Sequence, residues 1–123
     1  MDRLTRTLAG SKMQAVTAHM KGIALLGSTG SIGVSTLRVI EQSPDRYKVV
    51  SLAAGRNIGL FLEQVKRFRP EAVAILNEEL ASRLKRDLTS GPCPEIFFGN
   101  EGLLHVAKMD GVDMVVSAIS SRE

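Results

Sequence analysis

The chain has 123 residues, of which 44% are hydrophobic and 24% charged, and this composition suits a single globular domain. The formal net charge is +3, but residues 1–20 carry three cations against one acid, so the body is nearly neutral and no nucleic-acid surface is expected. The single cysteine, Cys93, excludes an intrachain disulfide and fits a reducing compartment, and no apolar run approaches the length of a membrane span.

Residues 1–20 precede the first predicted strand and contain no continuous apolar stretch, so no secretory signal is expected. The segment contains Arg, Ser and Thr and few acids, which is a faint feature of organellar transit peptides. Met20 directly precedes the strand and can serve as the natural start. We therefore interpret 1–20 as a disordered extension and expect a bacterial cytoplasmic protein in preference to a plastid one.

Strands and helices alternate along the rest of the chain, 21–123. Short apolar runs predict strands at 22–27, 47–54, 72–76, 96–98 and 112–119. Apolar periodicity and end signals predict helices at 31–42, 58–68, 78–88 and 100–109. This alternation indicates an α/β fold, a Rossmann-type doubly wound parallel sheet of about five strands with right-handed crossovers. A further helix is expected after the fifth strand, so the domain is predicted to be partial and to lack its last elements.

The predicted helices carry apolar faces and recognisable ends. The expected apolar positions of the first two helices are Ile32, Leu37, Val39 and Ile40, and then Leu62, Val65 and Phe68. Asn57 and Asn77 are candidate N-caps. Two basic groups, Lys66, Arg67 and Arg69, and Arg83, Lys85 and Arg86, fall near helix ends, where cations meet the negative end of the helix dipole.

Three glycines follow the first strand and open the first helix, at the spacing G-x-x-G-x-x-G. Gly27 permits a sharp turn, Gly30 leaves room for a diphosphate, and Gly33 lets the helix pack closely on the sheet. The helix N-terminus offers N–H groups and a positive dipole end to an anion, and Thr29 and Ser31 add hydroxyl donors. A turn needed only for chain reversal is the simpler alternative, but it does not require three glycines and two hydroxyls.

The turn after the second strand favours one cofactor over another. NAD-preferring sites have Asp or Glu here to bind the ribose 2′-hydroxyl, whereas this sequence has Gly55, Arg56 and Asn57. Arg56 can form charge-assisted hydrogen bonds to a 2′-phosphate, and Asn57 can offer its amide or the N–H groups that it caps. NADP(H) is therefore favoured over NAD(H). A solvated arginine and a plain N-cap are the simpler alternatives.

No catalytic residue and no metal site are predicted. Cys93 lies in a loop between two prolines with no base beside it. His105 is interpreted as a surface or half-buried residue of a helix in preference to a catalytic base. Asp110 and Asp113 flank a turn before the fifth strand, where a structural role is enough for them. No cluster of Cys, His, Asp and Glu has metal-ligand spacing. Small residues at the end of the fifth strand, the expected neighbour of the first, would let a cofactor lie across the sheet edge.

Three segments together carry a close resemblance to the 1-deoxy-D-xylulose 5-phosphate reductoisomerase family: 27–33 (GSTGSIG), 35–37 (STL) and 54–57 (AGRN). The likeness runs from about residue 21 to 119. The resemblance implies an NADPH site. It implies pyrophosphate contacts at Thr29, Gly30, Ser31 and Ile32, and adenosine-phosphate contacts at Gly55, Arg56 and Asn57. Arg56 stands where many members have Lys, which keeps the positive charge.

The same resemblance implies an activity for the full-length enzyme. Members isomerise 1-deoxy-D-xylulose 5-phosphate and reduce the intermediate with NADPH to 2-C-methyl-D-erythritol 4-phosphate, in the non-mevalonate pathway of isoprenoid biosynthesis. They need a divalent metal, Mg or Mn, and form homodimers. Their metal and substrate residues come later in the sequence than residue 123, so this chain alone is expected to be inactive. Two alternatives stay open: the cofactor domain of a semialdehyde or short-chain dehydrogenase, and a non-catalytic NADP(H)-sensing module.

Removal of residues 1–19, leaving Met20 as the first residue, is expected to leave the fold unchanged, because a disordered extension contributes no buried surface. Far-ultraviolet circular dichroism and the urea midpoint of the shortened and full chains test this. A loss of the cooperative transition would show instead that the N-terminal segment packs on the domain.

Overall fold

The computed structural model describes residues 20–89, 91 and 93–119. The described residues form strands β1 (Lys21–Leu26), β2 (Tyr47–Ala53), β3 (Ala72–Ile75), β4 (Glu95–Phe98) and β5 (Met114–Ser117). The helices are α1 (Ser31–Glu41), α2 (Ile58–Phe68), α3 (Glu78–Asp87) and α4 (Gly99–Ala107). None of these helices has the length and apolarity to cross a bilayer. The predicted disordered extension is 1–20, and residues 1–19 of it lie outside the described ranges.

The five strands form one parallel sheet in the order β4-β3-β2-β1-β5. This confirms the predicted α/β sheet of Rossmann type and the position of β5 beside β1. Strands β1 to β4 succeed one another towards one edge, whereas β5 lies on the other side of β1. The strand order therefore reverses at β1, and in doubly wound folds ligands bind outside the carboxyl ends of the strands at such a point.

Helices cover the two faces of the sheet unequally. One core cluster joins strand residues such as Leu25 and Val73 to Leu37 of α1, Phe61 of α2 and Leu84 of α3. A second cluster on the other face joins strand residues, mostly alanines, to α4; its buried members are Leu26, Ala53, Ala72, Ala74 and Val106. This division follows from right-handed crossovers, because only the connection through α4 runs back across the sheet. The alanines let α4 approach the sheet closely.

The buried face of α1 differs from the predicted one. Its buried residues are Gly33, Leu37 and Ile40, whereas Ile32 is 65% and Val39 59% exposed. The prediction was wrong at these two positions because a helix that covers a sheet on one side buries only a narrow stripe. Ile32 is instead exposed in the first turn of α1, directly beside the glycine turn.

The buried face of α2 keeps the predicted Val65 but adds Phe61 and Gln64, which were not predicted. Phe61, Gln64 and Val65 are buried, and Leu62 and Phe68 are half-buried. A polar residue therefore occupies the centre of an otherwise apolar stripe. Such a residue needs hydrogen-bond partners inside the protein, because burial without them is costly.

The helix ends agree with the predicted end signals. The side chain of Asn57 accepts a hydrogen bond from the N–H of Leu60 at 3.2 Å, and Asn77 accepts one from Leu80 at 2.9 Å. Basic residues occupy the last turns of α2 and α3; they are Lys66, Arg67, Lys85 and Arg86. These cations face the negative ends of the helix dipoles at the amino edge of the sheet.

A buried hydroxyl connects α4 to the centre of the sheet. Ser51 of β2 is fully buried, and its Oγ donates to the carbonyl oxygen of Val106 at 2.7 Å. Val106 lies in the last turn of α4, where carbonyls lack a partner within the helix. Ser51 thus satisfies a carbonyl that would otherwise be buried without a hydrogen bond.

Ser51→Ala is expected to lower the free energy of unfolding by about 1–3 kcal/mol, because it leaves the Val106 carbonyl unsatisfied. Thr36→Val is the matched control, since the Thr36 hydroxyl also donates to a carbonyl, that of Ile32, at 2.8 Å but on the exposed side of α1. Urea denaturation of both variants measures the difference. Equal and small losses would contradict a stabilising role for Ser51.

Candidate functional site

The glycine turn lies where the carboxyl ends of three strands meet. Gly27 has a φ of +88°, which L side chains rarely adopt. The N–H groups of Gly27 and Ser28 both donate to the carbonyl oxygen of Ala53, at 2.8 and 2.9 Å. A Cβ on Gly27 would lie 2.9 Å from the backbone of Ala118, just after β5. The turn is therefore held between the ends of β2 and β5.

Gly33 and Gly30 differ in what the fold requires of them. A Cβ on Gly33 would lie 2.2 Å from the carbonyl oxygen of Gly27 and 2.7 Å from the Cα of Ser28. Gly33 thus brings α1 against the turn itself, a closer approach than the predicted packing on the sheet. A Cβ on Gly30 would meet only the Gly27 oxygen, at an ordinary 3.8 Å. The fold does not require glycine at position 30.

The N-terminus of α1 presents unpaired donors. Gly30 is the N-cap and provides no side-chain cap, and Val34 is the first residue whose N–H bonds the Gly30 carbonyl, at 2.9 Å. Within the described ranges, no backbone carbonyl accepts the N–H groups of Ser31 or Ile32. The first turn of α1 contains no acidic residue. These donors and the positive dipole end suit an anion.

A second polar turn follows β2, at the N-terminus of α2. Gly55, Arg56 and Asn57 are all exposed, and a Cβ on Gly55 would meet nothing within 4 Å. The N–H of Ile58 donates to the Arg56 carbonyl at 2.7 Å, which tightens the turn. In the described part of the chain, Arg56 forms no ion pair, so its guanidinium is available to an anion outside the protein.

A buried polar pair beneath the glycine turn was missed in the sequence. Ser28 is fully buried and Gln64 is 6% exposed. The Ser28 hydroxyl donates to Gln64 Oε1 at 2.7 Å, and Gln64 Nε2 donates to the Ser28 carbonyl at 2.9 Å. The signal was a glutamine between Phe61 and Val65 on the apolar stripe of α2. The stripe assigned from the sequence omitted Phe61 and did not single out Gln64.

The other singled-out residues have structural surroundings. His105 is exposed, and its ring lies 4.1 Å from that of Phe97 between centroids. Cys93 is exposed. The carboxylate of Asp113 accepts the N–H of Gly22 at 2.8 Å, which joins the starts of β5 and β1. Over residues 20–89, 91 and 93–119, no three His, Cys, Asp or Glu side chains are grouped closely enough to hold a metal ion.

A parallel sheet with a glycine turn and an open helix N-terminus at the strand reversal defines a Rossmann-type domain, the class in which dinucleotides bind at this position. The family model for 1-deoxy-D-xylulose 5-phosphate reductoisomerase matches residues 23–123, and the chain belongs to that family. The reductoisomerase of Geotalea uraniireducens is 51% identical over 100 residues, and that of Synechococcus sp. is 44% identical over 107. Each match covers 81% of this chain but 26% of the relative, so the chain spans about a quarter of these proteins.

Solved structures of the family share the fold. A crystal structure of DOX-P reductoisomerase with NADPH, fosmidomycin and magnesium matches with a TM-score of 0.77 and 35% identity, over 81% of this chain and 24% of that one. The enzyme of Zymomonas mobilis in complex with NADPH matches with a TM-score of 0.74 and 37% identity, over 82% and 26%. The family membership favours neither a semialdehyde nor a short-chain dehydrogenase, nor a separate sensing module.

Gly33→Ala is expected to destabilise the chain by about 2–4 kcal/mol, because the new methyl group overlaps the Gly27 carbonyl and the turn must shift. Gly59→Ala is the matched control in α2, where a Cβ would meet nothing within 4 Å; it is expected to stabilise by about 0.5–1 kcal/mol. Equilibrium urea unfolding compares the two. A neutral Gly33→Ala would mean that α1 does not approach the turn this closely.

Proposed function

We propose that this chain forms the NADPH-binding part of a 1-deoxy-D-xylulose 5-phosphate reductoisomerase. The observation that carries the proposal is the open N-terminus of α1, whose Ser31 and Ile32 amides have no backbone acceptor in the described ranges. It lies at the strand reversal, beside an exposed arginine at the start of α2. Two related structures contain NADPH, which is the ligand that such an arrangement fits.

The diphosphate of NADPH is assigned to the turn between β1 and α1. The backbone N–H groups of Ser31 and Ile32 donate to its oxygens, and the hydroxyls of Thr29 and Ser31 add further donors. Gly30 leaves the space above the turn open, which fits its having no packing role of its own. Gly27 and Gly33 shape this cradle through the backbone.

The 2′-phosphate is assigned to the turn between β2 and α2. The Arg56 guanidinium offers planar, charge-assisted hydrogen bonds to phosphate oxygens. Gly55 leaves room for the adenosine, and Asn57 keeps the start of α2 in place through its bond to Leu60. That bond uses only the side-chain oxygen of Asn57, so its amide N–H groups are further candidate donors. These contacts distinguish NADPH from NADH.

In the reaction of the full-length enzyme, the role of this chain is to bind and orient the cofactor. When bound, NADPH supplies the hydride that reduces the isomerised sugar phosphate to 2-C-methyl-D-erythritol 4-phosphate, a step of isoprenoid biosynthesis. We assign the sugar phosphate and the Mg²⁺ or Mn²⁺ to other parts of the full-length enzyme, since the described residues offer no grouping of metal ligands. We also propose a homodimer, which only the family resemblance suggests. The bacterial relatives and the single cysteine support a location in the bacterial cytoplasm.

Arg56→Ala is expected to weaken NADPH binding about tenfold or more, because charge-assisted hydrogen bonds to the 2′-phosphate are lost. NADH affinity is expected to stay unchanged, since NADH has no phosphate there. Arg83→Ala, which removes an exposed arginine from α3, is the matched control. Isothermal titration of the full chain with both cofactors measures the two affinities. Equal losses of affinity for NADPH and NADH would contradict the assigned role of Arg56.

The diphosphate assignment is tested by Gly30→Ala in the same titrations. The fold tolerates a Cβ at this position, but the methyl group occupies the space assigned to the diphosphate, so NADPH and NADH are both expected to bind more weakly. Unchanged affinity for both cofactors in a stably folded Gly30→Ala chain would place the diphosphate elsewhere.

A further inference from the structure

We propose that Gln64 is a positioning residue that couples the two ends of the cofactor site. Through Ser28 it holds the glycine turn between β1 and α1, called here the diphosphate turn because the diphosphate is assigned to it. Through α2 it is joined to the turn that carries Arg56. This inference rests on the proposed function, and it adds to that function a residue that touches no ligand.

Ser28 anchors the diphosphate turn because its N–H, hydroxyl and carbonyl groups all form hydrogen bonds within the protein. Its N–H donates to the Ala53 carbonyl at 2.9 Å. Its hydroxyl donates to Gln64 Oε1 at 2.7 Å, and its carbonyl accepts from Gln64 Nε2 at 2.9 Å. Because Ser28 is fully buried, it turns no group towards solvent. The direction of the peptide units that follow, which carry the donors of the site, therefore depends on this anchor.

A glycine-rich turn needs such an external anchor. Gly27 and Gly30 lose more conformational freedom on ordering than other residues do, so the turn has little stiffness of its own. In water, a hydrogen bond to an exposed side chain exchanges readily with solvent. The Ser28–Gln64 pair is buried, where an unmade hydrogen bond is costly, so both bonds are kept.

Helix α2 connects this anchor to the other end of the site. Gln64 follows Asn57 by seven residues, which corresponds to about 10.5 Å along the helix and the same face. Arg56 directly precedes the N-cap Asn57. A shift of α2 against the sheet would therefore move the Arg56 turn relative to the diphosphate turn, and the bonds between Gln64 and Ser28 oppose that shift.

The terminal amide of glutamine supplies what this position needs. The pair requires one acceptor for the serine hydroxyl and one donor for the serine carbonyl, both at the end of one side chain. Glutamine carries both groups on its terminal amide, whereas glutamate has no donor when ionised and leucine has neither. Leucine has a similar size, so Gln64→Leu removes both hydrogen bonds with little change in packing.

The test measures NADPH and adenosine 2′-phosphate binding to full-chain Gln64→Leu by isothermal titration. Adenosine 2′-phosphate probes the Arg56 turn alone. NADPH is expected to bind about tenfold more weakly, the equivalent of roughly one buried hydrogen bond, while adenosine 2′-phosphate affinity is unchanged. Ser28→Ala removes only the hydroxyl bond, so it is expected to weaken NADPH binding less than Gln64→Leu does and to leave adenosine 2′-phosphate affinity unchanged. It serves as the second variant should Gln64→Leu fail to fold.

Val65→Ala is the control for a purely structural effect. Val65 is the buried neighbour of Gln64 on α2, 3% exposed, so its truncation costs stability without touching Ser28. We expect Val65→Ala to lower the urea midpoint and to keep NADPH affinity. Equal losses of NADPH affinity in Val65→Ala, or unchanged affinity in folded Gln64→Leu and Ser28→Ala, would overturn the role of Gln64. Failure of the unaltered chain to bind NADPH would instead contradict the proposed function.

Discussion

The carbonyl oxygen of Ala53 accepts two hydrogen bonds, from Gly27 and Ser28, and the geometry of the site depends on this pairing. It bends the chain sharply at the end of β1 and keeps the turn against β2. It also consumes the first two N–H groups of the turn. The donors that remain for a ligand are therefore those further along, at the start of α1, which the bend directs to the carboxyl edge of the sheet.

The parts of the fold that could be predicted from the sequence are those with local causes. Apolar runs and end signals located each strand and helix that the structure describes, because these signals depend on neighbouring residues. The bounds of β5 differ from the prediction: the predicted 112–119 shortens to Met114–Ser117. Pairing decides this length, since β5 bonds to β1 through four residues. The exposure of Ile32 and Val39 also depends on how α1 lies against the sheet, which periodicity cannot show.

The site shows the same division between local and tertiary causes. The spacing of the three glycines assigns each a different role, but only the tertiary contacts show that the fold requires Gly27 and Gly33 and does not require Gly30. The space that Gly30 leaves open is the space proposed for the diphosphate. The pairing of Ser28 with Gln64 spans 36 residues, and no local pattern predicts which serine a buried glutamine will meet.

Charge placement explains why a protein of modest net charge can favour a ligand with several phosphates. The cations in the last turns of α2 and α3 lie at the amino edge of the sheet, so they stabilise helices and contribute little to the opposite edge. Arg56 differs because it precedes a helix and stands at the carboxyl edge. There the N-termini of α1 and α2 point to one side of the sheet, and each dipole adds to the positive potential. The proposed site therefore has two anion positions, one at each helix N-terminus, with Arg56 beside the second. Two such positions suit a dinucleotide with a 2′-phosphate better than a single phosphate.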